Sequence, residues 1–383
     1  MTQKKILFYC QHSIGVGHLV RSFTLVSSLS KSFQVSLISG GQFPQAISIP
    51  EGVEFIQLPP IGVNQNNCLE AIGSDEPVHQ IMKQRQKILI NIYKKLNPDF
   101  FITEFFPLGK IQFMGELIPV LRLIKNVEKH TRVVCSLRDV LEPSFTDGKL
   151  GQDFGIKIIN EHYDAILVHG DKDFITLDKS FPKIERINAP IFYTGYVSKL
   201  SYQPDLNREG FSEIVLSAGG GKIAHPFVTK IVNSFIRYGF GENTQLRIIA
   251  GPMYPLDQFK ELENSINNRR NITLHFSVRN ISEYWKNAKL SISPGGYNTL
   301  MELISSRIPA LVCPYRNETN SEQEFRSSIL EQKGLIKMMF YEDISEKEIA
   351  QMVVKALSFA PSPEKINIAG ARQTRKILQQ LVQ

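Results

Sequence analysis

Short apolar runs and amphipathic stretches alternate along the whole chain. In the first half KILFYC, QVSLISGG, VEFIQLPP, PDFFITEFF, TRVVCSLRD, AILVHG and IFYTGYVS read as strands. Most carry little polar interruption, the pattern of strands covered on both faces of a parallel sheet. Between them lie stretches with apolar positions three and four apart. These predict helices over residues 18–31, 76–96 and 110–129 and around the IIN near residue 159. Residues 64–75 are polar and read as a loop. The polar run SKLSYQPDLNREGFSE, residues 198–213, breaks the alternation and is the expected domain boundary.

Beyond it the alternation restarts with EIVLSAGGG, QLRIIAGP and ITLHFSV as strands. HPFVTKIVNSFIRYG, LDQFKELENSINN, SEKEIAQMVVKALSFA and the final IAGARQTRKILQQLV read as helices. Strand–helix repetition on this scale predicts two Rossmann-like, doubly wound α/β domains, residues 1–200 and 201–383. Their strand C termini are expected to line one cleft, with the last helix crossing back to the first domain.

Composition narrows the picture only modestly. The 383 residues carry a net charge of +7, which favours anionic partners such as nucleotide diphosphates, acidic acceptors or an anionic membrane surface. No nucleic-acid recognition pattern is present, so nucleic acid is not an expected partner. No apolar run is long enough to span a bilayer. The N-terminal apolar run is short and ends in polar residues, reading as a first strand rather than a signal peptide. Cys10, Cys68, Cys135 and Cys313 are widely separated and form no zinc pattern; they read as thiols of a reducing, cytoplasmic compartment.

The most informative stretch is LSISPGGYNTLMELISSRIPALVCPYRNETNSEQEFR, residues 290–326. A strand turns through Gly295-Gly296 into a helix. The glycines let backbone approach a ligand, and the helix's first amides lack internal partners, so the turn is suited to phosphate. Asn298, Thr299 and Glu302 follow on the helix. Glu302 lies one turn beyond Asn298, placed to accept from neighbouring ribose hydroxyls. Gln323, on the next helical segment, is within reach of whatever extends beyond the phosphates.

The run GGYNTLMELISSRIPALVCPY followed by EQEFRSS resembles the C-terminal donor-binding region of family 28 glycosyltransferases of GT-B architecture, whose best-understood member makes peptidoglycan lipid II. The resemblance implies that Gly295, Gly296 and the helix start hold a pyrophosphate, Glu302 the ribose and Gln323 the donor sugar. It implies an inverting transferase that moves a hexose-type sugar from a nucleotide diphosphate donor, most simply a UDP-sugar, without metal or cofactor. The sequences EFFPLGKIQFMGEL and SLRDVLEP resemble a bacterial branch of family 28-like proteins rather than lipid II synthesis itself.

SIGVGHLVRS, residues 13–22, follows the first strand. Gly15 and Gly17 allow a tight turn, and His18 begins a helix. The glycine spacing is not that of a dinucleotide site. By the same resemblance His18 is the candidate general base for the acceptor hydroxyl, a role that suits an imidazole. Arg21, one turn on, suits an acidic acceptor group or the leaving phosphate, or is a solvated charge. Glu104, at the end of FITEFF, is a second candidate base or a partner that orients His18. Arg138 ends another strand on the acceptor side.

SAGGGK, residues 217–222, fails the P-loop pattern at Ile223. Its Gly219 and Gly220 are candidate contacts to donor phosphate. Val278, in SVR after ITLHF, matches the position where the family's backbone holds the nucleobase. Asp171-Lys172-Asp173 looks like a metal-binding DxD but reads better as a helix cap. Lys83, Arg85, Lys87, Lys94, Lys95, Arg122, Lys125 and Lys129 give the first domain two basic helices, able to rest on the inner face of a membrane. Two other readings remain open: a nucleotide-sugar hydrolase on the same scaffold, and a sugar-nucleotide sensor that never turns over.

Overall fold

The computed structural model describes residues 3–13, 15–44, 47–64, 68–127, 130–141, 151–199, 210–267, 269–315 and 321–382. Ile14, Lys129, Glu142, Pro143 and most of the expected boundary segment lie outside them. The strands are β1 (Lys5–Cys10), β2 (Gln34–Ser39), β3 (Val53–Gln57), β4 (Ile61–Val63), β5 (Leu69–Ala71), β6 (Phe100–Glu104), β7 (Arg132–Arg138), β8 (Ala165–His169) and β9 (Ile191–Tyr193). They continue as β10 (Glu213–Ser217), β11 (Gln245–Ile249), β12 (Ile272–His275), β13 (Ala288–Pro294), β14 (Ala310–Cys313) and β15 (Lys337–Met338). The helices are α1 (Gly17–Leu29), α2 (Val78–Leu96), α3 (Met114–Asn126), α4 (Gly151–His162), α5 (His225–Tyr238) and α6 (Leu256–Ile266). After them come α7 (Ser282–Trp285), α8 (Tyr297–Ser306), α9 (Glu322–Gln332), α10 (Glu346–Ala356) and α11 (Gly370–Val382).

The chain divides into two units, Met1–Ser198 with Asn367–Gln383, and Lys199–Ile366. The first holds a parallel sheet in the order β3-β2-β1-β6-β7-β8-β9. β6 and β8 are buried along their whole length and β1 at all but its first residue, which is why their sequences are nearly continuous apolar runs. Strand order reverses between β1 and β6, where Tyr9 is level with Thr103. The next residues, Cys10 and Glu104, therefore end neighbouring strands at the point where ligands bind in such sheets.

The second unit repeats the plan, in the order β12-β11-β10-β13-β14-β15. Here the reversal lies between β10 and β13, with Leu216 level with Ile292. Both glycine-rich turns, after Ser217 and after Pro294, thus leave adjacent strands at one switch point.

Several features depart from the sequence reading. The loop expected over residues 64–75 contains one strand of an antiparallel hairpin, β4–β5, too short to show a period. The helix expected over residues 110–129 starts as a 3₁₀ turn, Ile111–Phe113, before α3. Arg85, read as part of a basic face, is fully buried. Its guanidinium bonds the Glu116 carboxylate at 2.8 Å and Gln11 Oε1 at 2.6 Å, since a buried cation requires a partner. Lys83, Lys87, Lys94, Lys95, Arg122 and Lys125 are exposed.

Helix α11 packs along α1. Its lead-in is anchored by backbone: the Asn367 amide donates to Asp171 Oδ2 at 2.7 Å, and the Tyr196 amide donates to Asn367 O at 2.7 Å. Gly195 and Gly370 permit the approach, because a Cβ on Gly370 would stand 2.3 Å from Gly195 O. Asp171 also accepts from the Asp173 amide. Residues 171–173 lie in a turn rather than at a helix start, so the expected helix cap is instead an anchor for this lead-in.

Candidate active site

In the first unit, α1 begins directly after the loop leaving β1. Its N-cap, Val16, makes no side-chain cap, and the positive end of the helix dipole lies beside His18. The imidazole is 14% exposed, and its Nδ1 lies 2.6 Å from Glu104 Oε1; Glu104 is fully buried. An ionised carboxylate only accepts, so Nδ1 carries the proton and Nε2 keeps its lone pair. Burial, the largest influence, pushes the His18 pKa down to about 3 against the pull of the Glu104 carboxylate; Arg138 and Lys110 push the same way as burial. Glu104 is held well below the ordinary carboxylate range despite its burial, first by His18 and then by Arg21 and Arg138.

Arg21 does not face a ligand or solvent. Its side chain is fully buried and its Nη2 donates to the same Glu104 Oε1 that accepts from His18 Nδ1. The expected acceptor-side or solvated role gives way to a buried ion pair, because α1 turns residues 18 and 21 onto one face and β6 ends beneath them. Arg138 is half-buried, with its guanidinium 5.7 Å from the centre of the Phe105 ring. The same ring meets His18 edge-on at 5.5 Å.

Phe105 and Lys110 are absent from the sequence-level candidates, yet they frame His18. Both adopt positive φ, 69° and 56°, unusual for residues with a Cβ and costly for a bulky one. The Phe106–Pro107 peptide between them is cis. The sequence signal was FFPLG directly after a buried strand, where Pro107 and Gly109 punctuate the passage to the next helix. A Cβ on Gly15 would meet nothing within 4 Å, and Gly17 forms the first residue of α1.

The two glycines of the second unit's turn do different things. A Cβ on Gly295 would stand 2.8 Å from Ser327 Oγ and 3.3 Å from Pro314 Cα, whereas one on Gly296 would meet nothing within 4 Å. Gly295 is thus required by packing against α9 and the end of β14, and only Gly296 offers open backbone. Gly296 is the N-cap of α8, and no side chain caps the helix. Asn298 and Thr299 are half-buried in its first turn.

Glu302, a turn further along α8, is also half-buried. Its pKa is raised by burial, with Lys199 pulling it back. Among the described residues its carboxylate has no hydrogen-bond partner. Gln323 Oε1 accepts from the Tyr315 amide at 3.1 Å, fixing the side chain beside the end of β14.

At the neighbouring turn, Gly219 has φ +64 and its amide donates to Ser217 Oγ. Gly220 O accepts from Met253, and a Cβ on Gly251 would stand 2.4 Å from Gly219 O. The turns after β10 and β11 are therefore interlocked, and Gly219 has already used the amide expected to meet phosphate. A Cβ on Gly220 would meet nothing within 4 Å. His225, which opens α5 after this turn, was not anticipated; its Nδ1 lies 2.7 Å from Tyr254 Oη. Val278 is half-buried in the loop after β12, beside exposed Arg279. No metal-binding cluster occurs among the described residues.

Comparison with known proteins agrees with this architecture. Residues 215–381 match the family model described as the glycosyltransferase family 28 C-terminal domain. An uncharacterized glycosyltransferase of Methanosarcina acetivorans is 21% identical over 98% of both chains. A UDP-N-acetylglucosamine–N-acetylmuramyl-(pentapeptide) pyrophosphoryl-undecaprenol N-acetylglucosamine transferase of Bacillus cytotoxicus is 25% identical over 37% of this chain and 39% of its own. Among solved structures, the kitacinnamycin glycotransferase aligns over 100% of both chains with a TM-score of 0.63 at 13% identity. MurG of Acinetobacter baumannii covers 98% of this chain and 99% of its own at 0.58 and 12%. The matched segment includes α11, the helix that packs in the first unit. Residues 215–381 are a glycosyltransferase family 28 C-terminal domain, and the chain that carries them is a glycosyltransferase of GT-B fold.

Proposed function

We propose that this protein transfers a hexose-type sugar, with inversion, from a nucleotide diphosphate sugar to an acceptor hydroxyl, and that the donor is a UDP-sugar. The hydrogen bond from His18 Nδ1 to Glu104 carries the reading. It fixes the ring so that Nε2 is the neutral nitrogen with a lone pair to accept a proton. In the reaction Nε2 takes the hydroxyl proton as the acceptor oxygen bonds the anomeric carbon. The bond from that carbon to the diphosphate breaks, and the nucleotide diphosphate leaves with the electron pair.

The leaving charge falls on the uncapped start of α8 at Gly296, where helix amides and dipole stabilise it. Glu302, a carboxylate with no hydrogen bond to a described residue, accepts from the ribose hydroxyls, and Gln323 meets the donor sugar. Gly220 and the backbone at Val278 complete the donor side. On this reading the electrostatic work at the diphosphate is done by amides, with no metal required. Arg138 meets the acceptor. The exposed lysines of α2 and α3, together with relatives named for a pyrophosphoryl-undecaprenol acceptor, support a lipid-linked acceptor met at the inner face of a membrane.

A thermal-shift panel of nucleotide sugars tests this. UDP-sugars should raise Tm in wild type and fail to do so in Glu302→Ala. The donor assignment is wrong if Glu302→Ala responds as wild type does, or if no nucleotide sugar shifts Tm. Nucleotide release over many turnovers without an acceptor would make the enzyme a hydrolase. Tight binding with no product under any condition would make it a sensor.

A further inference from the structure

We propose that Arg21 is a positioning residue for the base: by taking the same carboxylate oxygen as His18, it makes the three-residue group electrically neutral only while the imidazole carries a single proton. This rests on the reading of His18 as the base, and it concerns how the fold keeps that base usable. A histidine paired with a lone buried carboxylate forms a neutral unit when it is protonated, as an imidazolium–carboxylate pair. Such a pair cannot accept a proton from a hydroxyl. Adding Arg21 inverts the balance: arginine and glutamate already cancel, so a second proton on His18 would leave a net positive charge where charge is costly.

The geometry makes this balance local. Arg21 and Glu104 are both fully buried, and Oε1 of Glu104 receives both bonds. Among the described residues whose charge acts on His18, none other than Glu104 is an anion that could offset a second proton. Arg138 on β7 and Lys110 ahead of α3 are cations that oppose protonation of His18. His169 on β8 is buried and held neutral between Ser136 and Thr194, at 2.8 and 2.9 Å. Cys10 and Cys135 are buried thiols pushed upward by burial. Glu104 thus sets the tautomer and direction of the ring, while Arg21 keeps that same carboxylate from holding the ring protonated.

The test uses ¹⁵N-histidine NMR on the whole chain, without donor or acceptor, with His18→Gln to assign the signal. Wild type should show a neutral His18, protonated at Nδ1, from pH 8 down to pH 5. Arg21→Met should take up its second proton at least one pH unit higher than wild type, while Arg21→Lys should stay near wild type. Equal titration in wild type and Arg21→Met overturns the proposal. So does a wild-type His18 already cationic at pH 7, a result that stands even if Arg21→Met fails to fold. Because the readout involves no sugar nucleotide, failure of the donor screen leaves this test intact. Failure here leaves the donor assignment standing.

Discussion

The switch points of the two sheets solve opposite problems. At the first, between β1 and β6, side chains complete one another: His18, Arg21 and Glu104 share one carboxylate oxygen beneath α1. At the second, between β10 and β13, side chains stay out of the way: Gly296 faces open space and α8 has no side-chain cap. One site pairs its charged side chains with one another, and the other opens a glycine backbone at a helix start with no side-chain cap. A proton acceptor must have its tautomer and charge fixed before substrate arrives. A diphosphate brings its own charge and needs only donors aimed at it.

The sharpest way to break this contrast is at His18. Replacing it with alanine should lower kcat about 10²- to 10⁴-fold, with the donor-induced Tm shift unchanged. A matching loss of donor binding would show that the two sites are not separable. Glu302→Ala should do the reverse, weakening donor binding about ten- to a hundredfold, as expected for losing bonds to a charged group, with kcat at saturating donor largely kept. Titration calorimetry checks it.

Within the second site, the glycine pair separates packing from binding. Gly295→Ala should cost about 1–3 kcal/mol of stability by overpacking against Ser327 and Pro314. Gly296→Ala should leave denaturant stability nearly unchanged and raise the donor Kd.

The smallest effect is in acid. His18 and His169 are held neutral by burial below their ordinary value of 6.5, so the unfolded chain binds more protons than the folded one once pH falls below 6.5. Stability should therefore be lost on acidification, by roughly 1 kcal/mol for each histidine between pH 6.5 and 5.5. His169→Asn would flatten that slope in denaturant titrations, and an unchanged slope would show that His169 is not buried neutral.

The elements that carry this contrast differed in how plainly they could be read. β1 and β6 announced themselves because buried parallel strands are nearly continuous apolar runs, and β13 because Leu290 and Ile292 alternate with polar residues ahead of a glycine turn. The turn at Gly295-Gly296 and the helix that carries Glu302 were legible as structure because a turn and one helical period lie within a few residues. Arg21 was not, since its partner Glu104 is far away in sequence and nothing local distinguishes a buried arginine from a solvated one. The same holds for Arg85 and Glu116. Phe105 and Lys110 escaped notice because positive φ at residues with a Cβ is imposed by tertiary packing. The Gly219 amide's bond to Ser217 Oγ was not legible, because a glycine that bonds within its own turn looks identical in sequence to one serving a ligand.

The anchoring of Asn367 to Asp171 and Tyr196 has a consequence for biosynthesis. On the ribosome α1, which carries His18, emerges early, but the helix that covers it is made only after the entire second unit. Until then the groove beside α1 exposes apolar surface that a nascent chain must keep from misassembly. The unit begun first is therefore the one completed last.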